Sequence, residues 1–198
     1  MKKVLIAYST NSGSTREVAE VIATELERAG LASEVKRIGE VGDLAAYDGI
    51  IVGAPMIFGW HKEARAFLKR HQVELANRKC AYFACAMRLT QVDHETLPPV
   101  ELTIDPNLAS KPVKAGSLSL KERFTTIGYY LKPMLKAAPA IKPAGIAFFN
   151  GKLDYRRLKW WQAAFVMLIV QGTPGDYRDW DTITAWGRSI SQVMAQAG

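Results

Sequence analysis

The sequence predicts an α/β fold of the doubly wound kind: a five-stranded parallel sheet in strand order 2-1-3-4-5, with helices on both faces. Short runs rich in β-branched residues alternate with segments of helical period along the chain. The run Gly49-Ile50-Ile51-Val52-Gly53 is apolar on both faces, as a central, covered strand must be. A hydroxyl-rich turn, Ser9 to Thr15, leads from the first strand straight into a helix. With 198 residues, 48% of them hydrophobic, residues 1–198 read as one domain with a full core.

Val4 to Tyr8 make the first strand. Val18, Val21, Ile22, Glu25 and Leu26 lie on one stripe of a helix beginning at Arg16, and Gly30 stops it where positive φ is tolerated. Val35 and Ile38 mark a second strand, polar enough for a sheet edge. After the third strand, Ala64, Phe67, Leu68 and Leu75 fit a helix on one face. Cys80 to Ala86 is the fourth strand; the odd spacing of Cys80 and Cys85 sends them to opposite faces, so they cannot pair. Buried thiols in a reducing compartment are the expectation. Gly145 to Phe149 is the fifth strand, and Thr182 to Met194 a closing helix with Ile183, Trp186, Ile190 and Val193 on one side.

Two insertions interrupt this plan, at about 90–118 and 152–172. The first carries Pro98-Pro99, Pro106, Pro112 and an alternating Val100, Leu102, Ile104, the pattern of an added strand or a lid. In the second, Lys152, Arg156, Arg157 and Lys159 run into Trp160-Trp161 and an apolar stretch ending at Val170. A cationic stem before a tryptophan pair suits the headgroup boundary of an anionic bilayer or a quinone path; packing in the core or in a homodimer is the alternative. That stretch is well short of the roughly 20 residues of a spanning helix, and Met1-Lys2-Lys3 precedes only a brief apolar run. The expectation is a cytoplasmic protein, peripheral at most on the inner face of the cell membrane through 152–171. The net charge of +7 favours anionic membranes or carboxylated substrates. No basic motif with interleaved aromatics accompanies it, so no nucleic-acid partner is expected.

Right-handed crossovers bring the loops after strands one, three and four to one edge, where ligands bind in such sheets. In the first loop, Ser9, Thr10, Asn11, Ser12, Gly13, Ser14 and Thr15 offer hydroxyl and backbone N–H groups at the positive end of a helix dipole. That is an anion site. It lacks the Gly-Lys-Ser/Thr ending of a nucleoside-triphosphate loop and the repeated glycines of a dinucleotide fingerprint. A phosphate held by hydroxyls and amides suits the monoester of flavin mononucleotide (FMN). The competing reading is an ordinary capped helix start. The second loop, Ala54, Pro55, Met56, Ile57, Phe58, Gly59 and Trp60, offers Met56, Phe58 and Trp60 as walls for a flat ring, with Gly59 allowing close backbone approach. The third loop starts at Ala86, Met87 and Arg88, at the same edge. His61, His71 and His94 are isolated, no acid–base dyad or nucleophile stands out, and neither a catalytic residue nor a metal site is assigned. The cofactor carries the redox chemistry in such a site.

The loop Thr10-Asn11-Ser12-Gly13-Ser14-Thr15 resembles the phosphate loop of the flavodoxin family, Ser/Thr-x-Thr/Ser-Gly-x-Thr. Flavodoxins are themselves a standing illustration of ligand binding at the switch point of the sheet. Three further stretches resemble the bacterial menaquinone-dependent protoporphyrinogen dehydrogenases: Gly53 to His61, Leu153 to Trp161, and the tail Gly172-Thr173-Pro174-Gly175-Asp176-Tyr177-Arg178-Asp179-Trp180. The likeness implies an FMN oxidoreductase that takes hydrogen from a porphyrinogen, with the arginines of 152–159 meeting its propionates, and passes electrons to a quinone. Two departures stand out: Pro55-Met56-Ile57-Phe58 replaces the Ser-Ile-Arg-Tyr frequent in that family, and 90–118 is longer. The alternative is a flavodoxin in the strict sense, shuttling electrons to a redox protein partner without its own small-molecule substrate; the acidic surface usual for that role is missing. A receiver-like regulatory domain would need acids where Tyr8 and Ala54 stand.

Overall fold

The computed structural model describes residues 1–56, 59–93, 95–114, 116–153 and 174–196. In chain order the elements are β1 (Lys3–Tyr8), α1 (Ser14–Arg28), β2 (Ala32–Arg37), β3 (Gly49–Pro55), α2 (Lys62–Arg70), α3 (Gln72–Ala76), β4 (Lys79–Ala86), β5 (Leu89–Thr90), β6 (Leu102–Ile104), β7 (Ala109–Ser110), α4 (Leu120–Arg123), α5 (Ile127–Ala137), β8 (Ile146–Asn150), β9 (Lys152–Leu153), β10 (Gly175–Asp176) and α6 (Trp180–Ala195). The main sheet runs β2-β1-β3-β4-β8-β6 with every pairing parallel. The order expected for the first five strands is present, with β8 as the fifth.

Alternation along the strands divides the core into two layers. Leu5, Ile50, Val52, Tyr82 and Phe148 face α2 and α5, where Phe67, Tyr130, Leu131 and Met134 cover them. Val4, Ile6, Ile51, Phe83 and Phe149 face α1 and α6, where Ile22, Leu26, Ile183 and Trp186 close the layer. Cys80 and Cys85 fall in opposite layers. Burial pushes each thiol up to about 12, so both stay protonated at neutral pH. Gly53 lies opposite Phe83, and a Cβ there would meet that ring at 1.9 Å, so only glycine lets this aromatic lie flat on β3. Glu25, on the apolar stripe of α1, is buried yet paired: its Oε2 accepts from Arg188 Nε at 2.9 Å, and Arg28 holds the other oxygen.

Several expectations are corrected. Among the described residues the main sheet has six strands, because 90–118 contributes β6 beyond β8. Fully buried Asp105 secures that edge: its Oδ2 accepts from Asn150 N–H at 3.0 Å and its Oδ1 from Asn107 N–H at 2.8 Å. Ile38 does not extend the second strand but opens a single 3-10 turn, Ile38–Glu40. The helix expected from Ala64 to Leu75 divides into α2 and α3 around His71. The first helix begins at Ser14 rather than Arg16, and the last at Trp180 rather than Thr182. Among the described residues, no helix is long and apolar enough to cross a membrane.

Candidate functional site

Strands β1, β3 and β4 end side by side at Tyr8, Pro55 and Ala86, which places their following loops at one edge. Backbone bonds fix two of those loops. Ser9 N–H donates to Gly53 O at 2.9 Å, and Met56 N–H donates to Cys85 O at 2.8 Å.

The first loop is built around Gly13, whose φ of +93° precedes α1 in the left-handed region. Its N–H donates to Thr10 Oγ1 at 2.8 Å, which curls the loop toward the helix start. No side chain caps α1, despite five Ser and Thr residues between 9 and 15. α2 and α3 also start without a side-chain cap, whereas α4, α5 and α6 have one. Ser119 forms a capping box on α4, Thr126 accepts from Tyr129 N–H on α5, and Asp179 accepts from Asp181 and Thr182 N–H on α6. Thr15 is fully buried, and its Oγ1 lies beside the Cys85 thiol without a well-formed hydrogen bond. With Gly13 as its N-cap, the start of α1 forgoes only about a few tenths of a kcal/mol, whereas a buried unpaired hydroxyl costs about 1–3 kcal/mol. An anion with several acceptor oxygens removes both deficits. The residues present therefore fit a phosphate group.

Two side chains not assigned from sequence converge on this loop. Ser9 Oγ lies 3.1 Å from Nδ1 of half-buried His61, joining the first loop to the end of the second. Burial draws the imidazole pKa below its ordinary 6.5, only partly opposed by the Glu63 carboxylate, so His61 is neutral at physiological pH. Arg178 lies behind the first turn of α1 with its side chain 1% exposed. Its guanidinium donates to Ser14 O at 3.1 Å, to Glu17 Oε2 at 2.7 Å and to Asp176 Oδ1 at 2.7 Å, and covers Trp180 with 4.3 Å to the ring centroid. Burial opposes its charge, but hydrogen bonds to Asp176 and Glu17 outweigh that, and its pKa lies above the ordinary value. The tail of the chain is thus clamped to the start of α1.

In the second loop Ala54, Pro55 and Met56 are buried, and Gly59 takes φ +107°. Trp60 departs from its expected role as a ring wall. Its indole is 1% exposed and tilts against Tyr82 at 5.5 Å in the core beneath the loop. The reason is the Met56–Trp60 bridge, which turns the chain back on itself and carries residue 60 inward. Ile57, Phe58, His94 and residues 154–173, most of the proposed lipid-facing segment, lie outside the described residues. In the third loop Ala86 is buried, Met87 half-buried and Arg88 exposed, and Tyr130 Oη donates to Arg88 O at 2.9 Å.

The family model described as "Flavodoxin domain" matches residues 5–179. This chain belongs to the flavodoxin-domain family. Protoporphyrinogen IX dehydrogenase [quinone] of Escherichia coli (strain K12) is 24% identical over 202 residues, covering 96% of both chains. The protein so named in Leishmania major is 23% identical over 208 residues, covering 96% of this chain and 75% of its own length. Among solved structures, rubredoxin oxygen:oxidoreductase from Desulfovibrio gigas superposes with a TM-score of 0.52 at 11% identity, over 98% of this chain and 36% of that one, a likeness of fold.

Within this flavodoxin-domain protein, one signal for His61 was its place directly after the second loop. For Arg178 it was the alternation Asp176-Tyr177-Arg178, which sets acid and base on one side of an extended segment.

Proposed function

We propose that this protein is an FMN-binding oxidoreductase that takes hydrogen from a porphyrinogen-type substrate and passes electrons to a quinone. The observation that carries the cofactor is the uncapped start of α1 beside the buried Thr15 hydroxyl, which makes no well-formed hydrogen bond. Thr10, Asn11, Ser12, Gly13, Ser14 and Thr15 would hold the phosphate, and the loops 54–60 and 86–88 the ring. Phe58 keeps its assignment as a ring wall; Trp60 supports that loop from below. When bound, FMN supplies redox chemistry, accepting electrons from an organic donor and releasing them to an acceptor. The chain contributes binding and positioning: the 3.1 Å hydrogen bond between Ser9 Oγ and His61 Nδ1 ties the phosphate loop to the end of the second loop. Arg178 positions the first turn of α1 under the phosphate.

Support for substrate and acceptor comes from the full-length likeness to the quinone-linked dehydrogenases and from the net charge of +7, suited to propionates. Contact of residues 152–171 with the inner face of the cell membrane, and pairing into a homodimer, belong to the same proposal. The test is anaerobic: titrate the apoprotein with FMN, following flavin fluorescence, then supply protoporphyrinogen and menadione. Quenching and porphyrin formation are expected. Quenching without porphyrin formation would leave a one-electron carrier, and absence of quenching would end the FMN assignment.

A further inference from the structure

The chain's positive charge is concentrated. Between residues 106 and 136 stand six cations, Lys111, Lys114, Lys121, Arg123, Lys132 and Lys136, against the single acid Glu122. That is a surplus of five out of the molecule's net +7. Within the same stretch are three of the most exposed apolar side chains: Val113 at 90%, Leu120 at 71% and Phe124 at 51%, with Tyr129 touching Phe124 edge-on at 5.4 Å. The arrangement is held from inside. Buried Glu122 accepts from Val113 N–H at 2.7 Å through Oε1 and from Ser119 N–H at 2.7 Å through Oε2, so the single acid faces the backbone rather than the surface. Thr90 N–H, four residues beyond β4, donates to Thr125 O at 2.8 Å and fixes Phe124 near the sheet edge that carries the candidate site.

We propose that residues 111–129 form a docking surface for an anionic lipid bilayer, with Val113, Leu120 and Phe124 entering the headgroup boundary and Lys111, Lys114, Lys121 and Arg123 meeting lipid phosphates. Exposed apolar side chains interspersed along the chain with cations match a surface that is apolar within and negative at its rim. Nucleic acid shares the phosphates but offers no partner to exposed Val113 and Leu120 tips. Holding the loop to Glu122 before contact lowers the ordering cost of docking. This surface is separate from the 152–171 segment. Only its purpose, bringing the candidate site to a lipid-borne acceptor, rests on the function proposed above.

Vesicle flotation of the full chain tests it, using phosphatidylcholine alone or phosphatidylglycerol-rich mixtures. Binding is expected only with phosphatidylglycerol and should fall with salt. Each lysine lost should weaken it about fivefold, so Lys111→Glu/Lys114→Glu/Lys121→Glu should abolish it. Leu120→Ser/Phe124→Ser should weaken it about tenfold or more. All these positions are exposed, and circular dichroism and FMN quenching should match the parent protein. Unchanged flotation in either variant, or no flotation of the parent chain, overturns the proposal. So does retention on soluble polyglutamate without vesicle binding, which would point to an acidic protein. A concentration-dependent dimer lost in Leu120→Ser/Phe124→Ser, again without vesicle binding, would assign the patch to a second copy and likewise overturn it. Failure of FMN quenching in the parent protein would strike the flavin assignment and leave the flotation result standing.

Discussion

The start of α1 and the starts of α4 and α5 use the same residue types to opposite ends. Ser119 and Thr126 direct their hydroxyls to the N–H groups of their own helices, and Glu122 completes the box on α4. Thr10 accepts only from the loop, Thr15 makes no well-formed hydrogen bond, and α1 has no side-chain cap. Residues 119–126 satisfy their own helix starts. The loop after β1 leaves helix-start donors without a side-chain cap, where an anion would take them. A hydroxyl-rich helix start is therefore informative only when its hydrogen bonds are followed to their ends.

The largest expected break in this contrast is Thr10→Ala/Thr15→Ala. Two hydrogen bonds to a charged group are worth about 3 kcal/mol together, so FMN affinity should fall roughly 150-fold by fluorescence titration. The apoprotein should lose only about 1 kcal/mol, the bond from Gly13 N–H to Thr10 Oγ1, since Thr15 Oγ1 makes no bond there. A large loss of apoprotein stability would mean the two hydroxyls are structural after all. Arg178→Met should cost about 3 kcal/mol in urea unfolding, because it leaves Asp176, Glu17 and the Ser14 carbonyl without their buried partner. It should also weaken FMN binding. Smaller effects belong to the caps of α4 and α5. Ser119→Ala and Thr126→Ala should each cost about 1 kcal/mol of stability and leave FMN affinity unchanged.

The mildest test concerns pH. Hydrogen bonds from the Ser119 hydroxyl, then from the Val113 and Ser119 amides, hold the Glu122 carboxyl at about 2 against an ordinary 4.5. The folded chain thus favours the carboxylate. Its stabilising share is complete above pH 4.5 and is lost as pH falls toward 2. Glu122→Gln should flatten that part of the acid limb of the stability curve, measured by thermal melts across the window. An unchanged limb would show that the insertion is not pinned by this acid.

Much of the frame was legible because its signals are local. Ile50, Ile51 and Val52 announce a covered strand whatever surrounds them, and the hydroxyls of 9–15 announce an anion or a cap. Val100, Leu102 and Ile104 hinted at the sixth strand, but its parallel pairing beyond β8 depends on Asp105 reaching the amide of Asn150. Trp60 was misjudged for a related reason: an aromatic in a loop is apolar whether it meets a ring or the core, and Tyr82 decides which.

By itself, the sequence determined that a parallel sheet would gather three loops at one edge, because hydrophobic period and turn chemistry are written in neighbouring residues. Only the tertiary structure decided that α1 starts without a cap, that Arg178 reaches Ser14 from 164 residues away, and that Trp60 points down. Those outcomes turn on which distant groups compete for the same donors and the same buried space, and that competition exists only once the chain has closed.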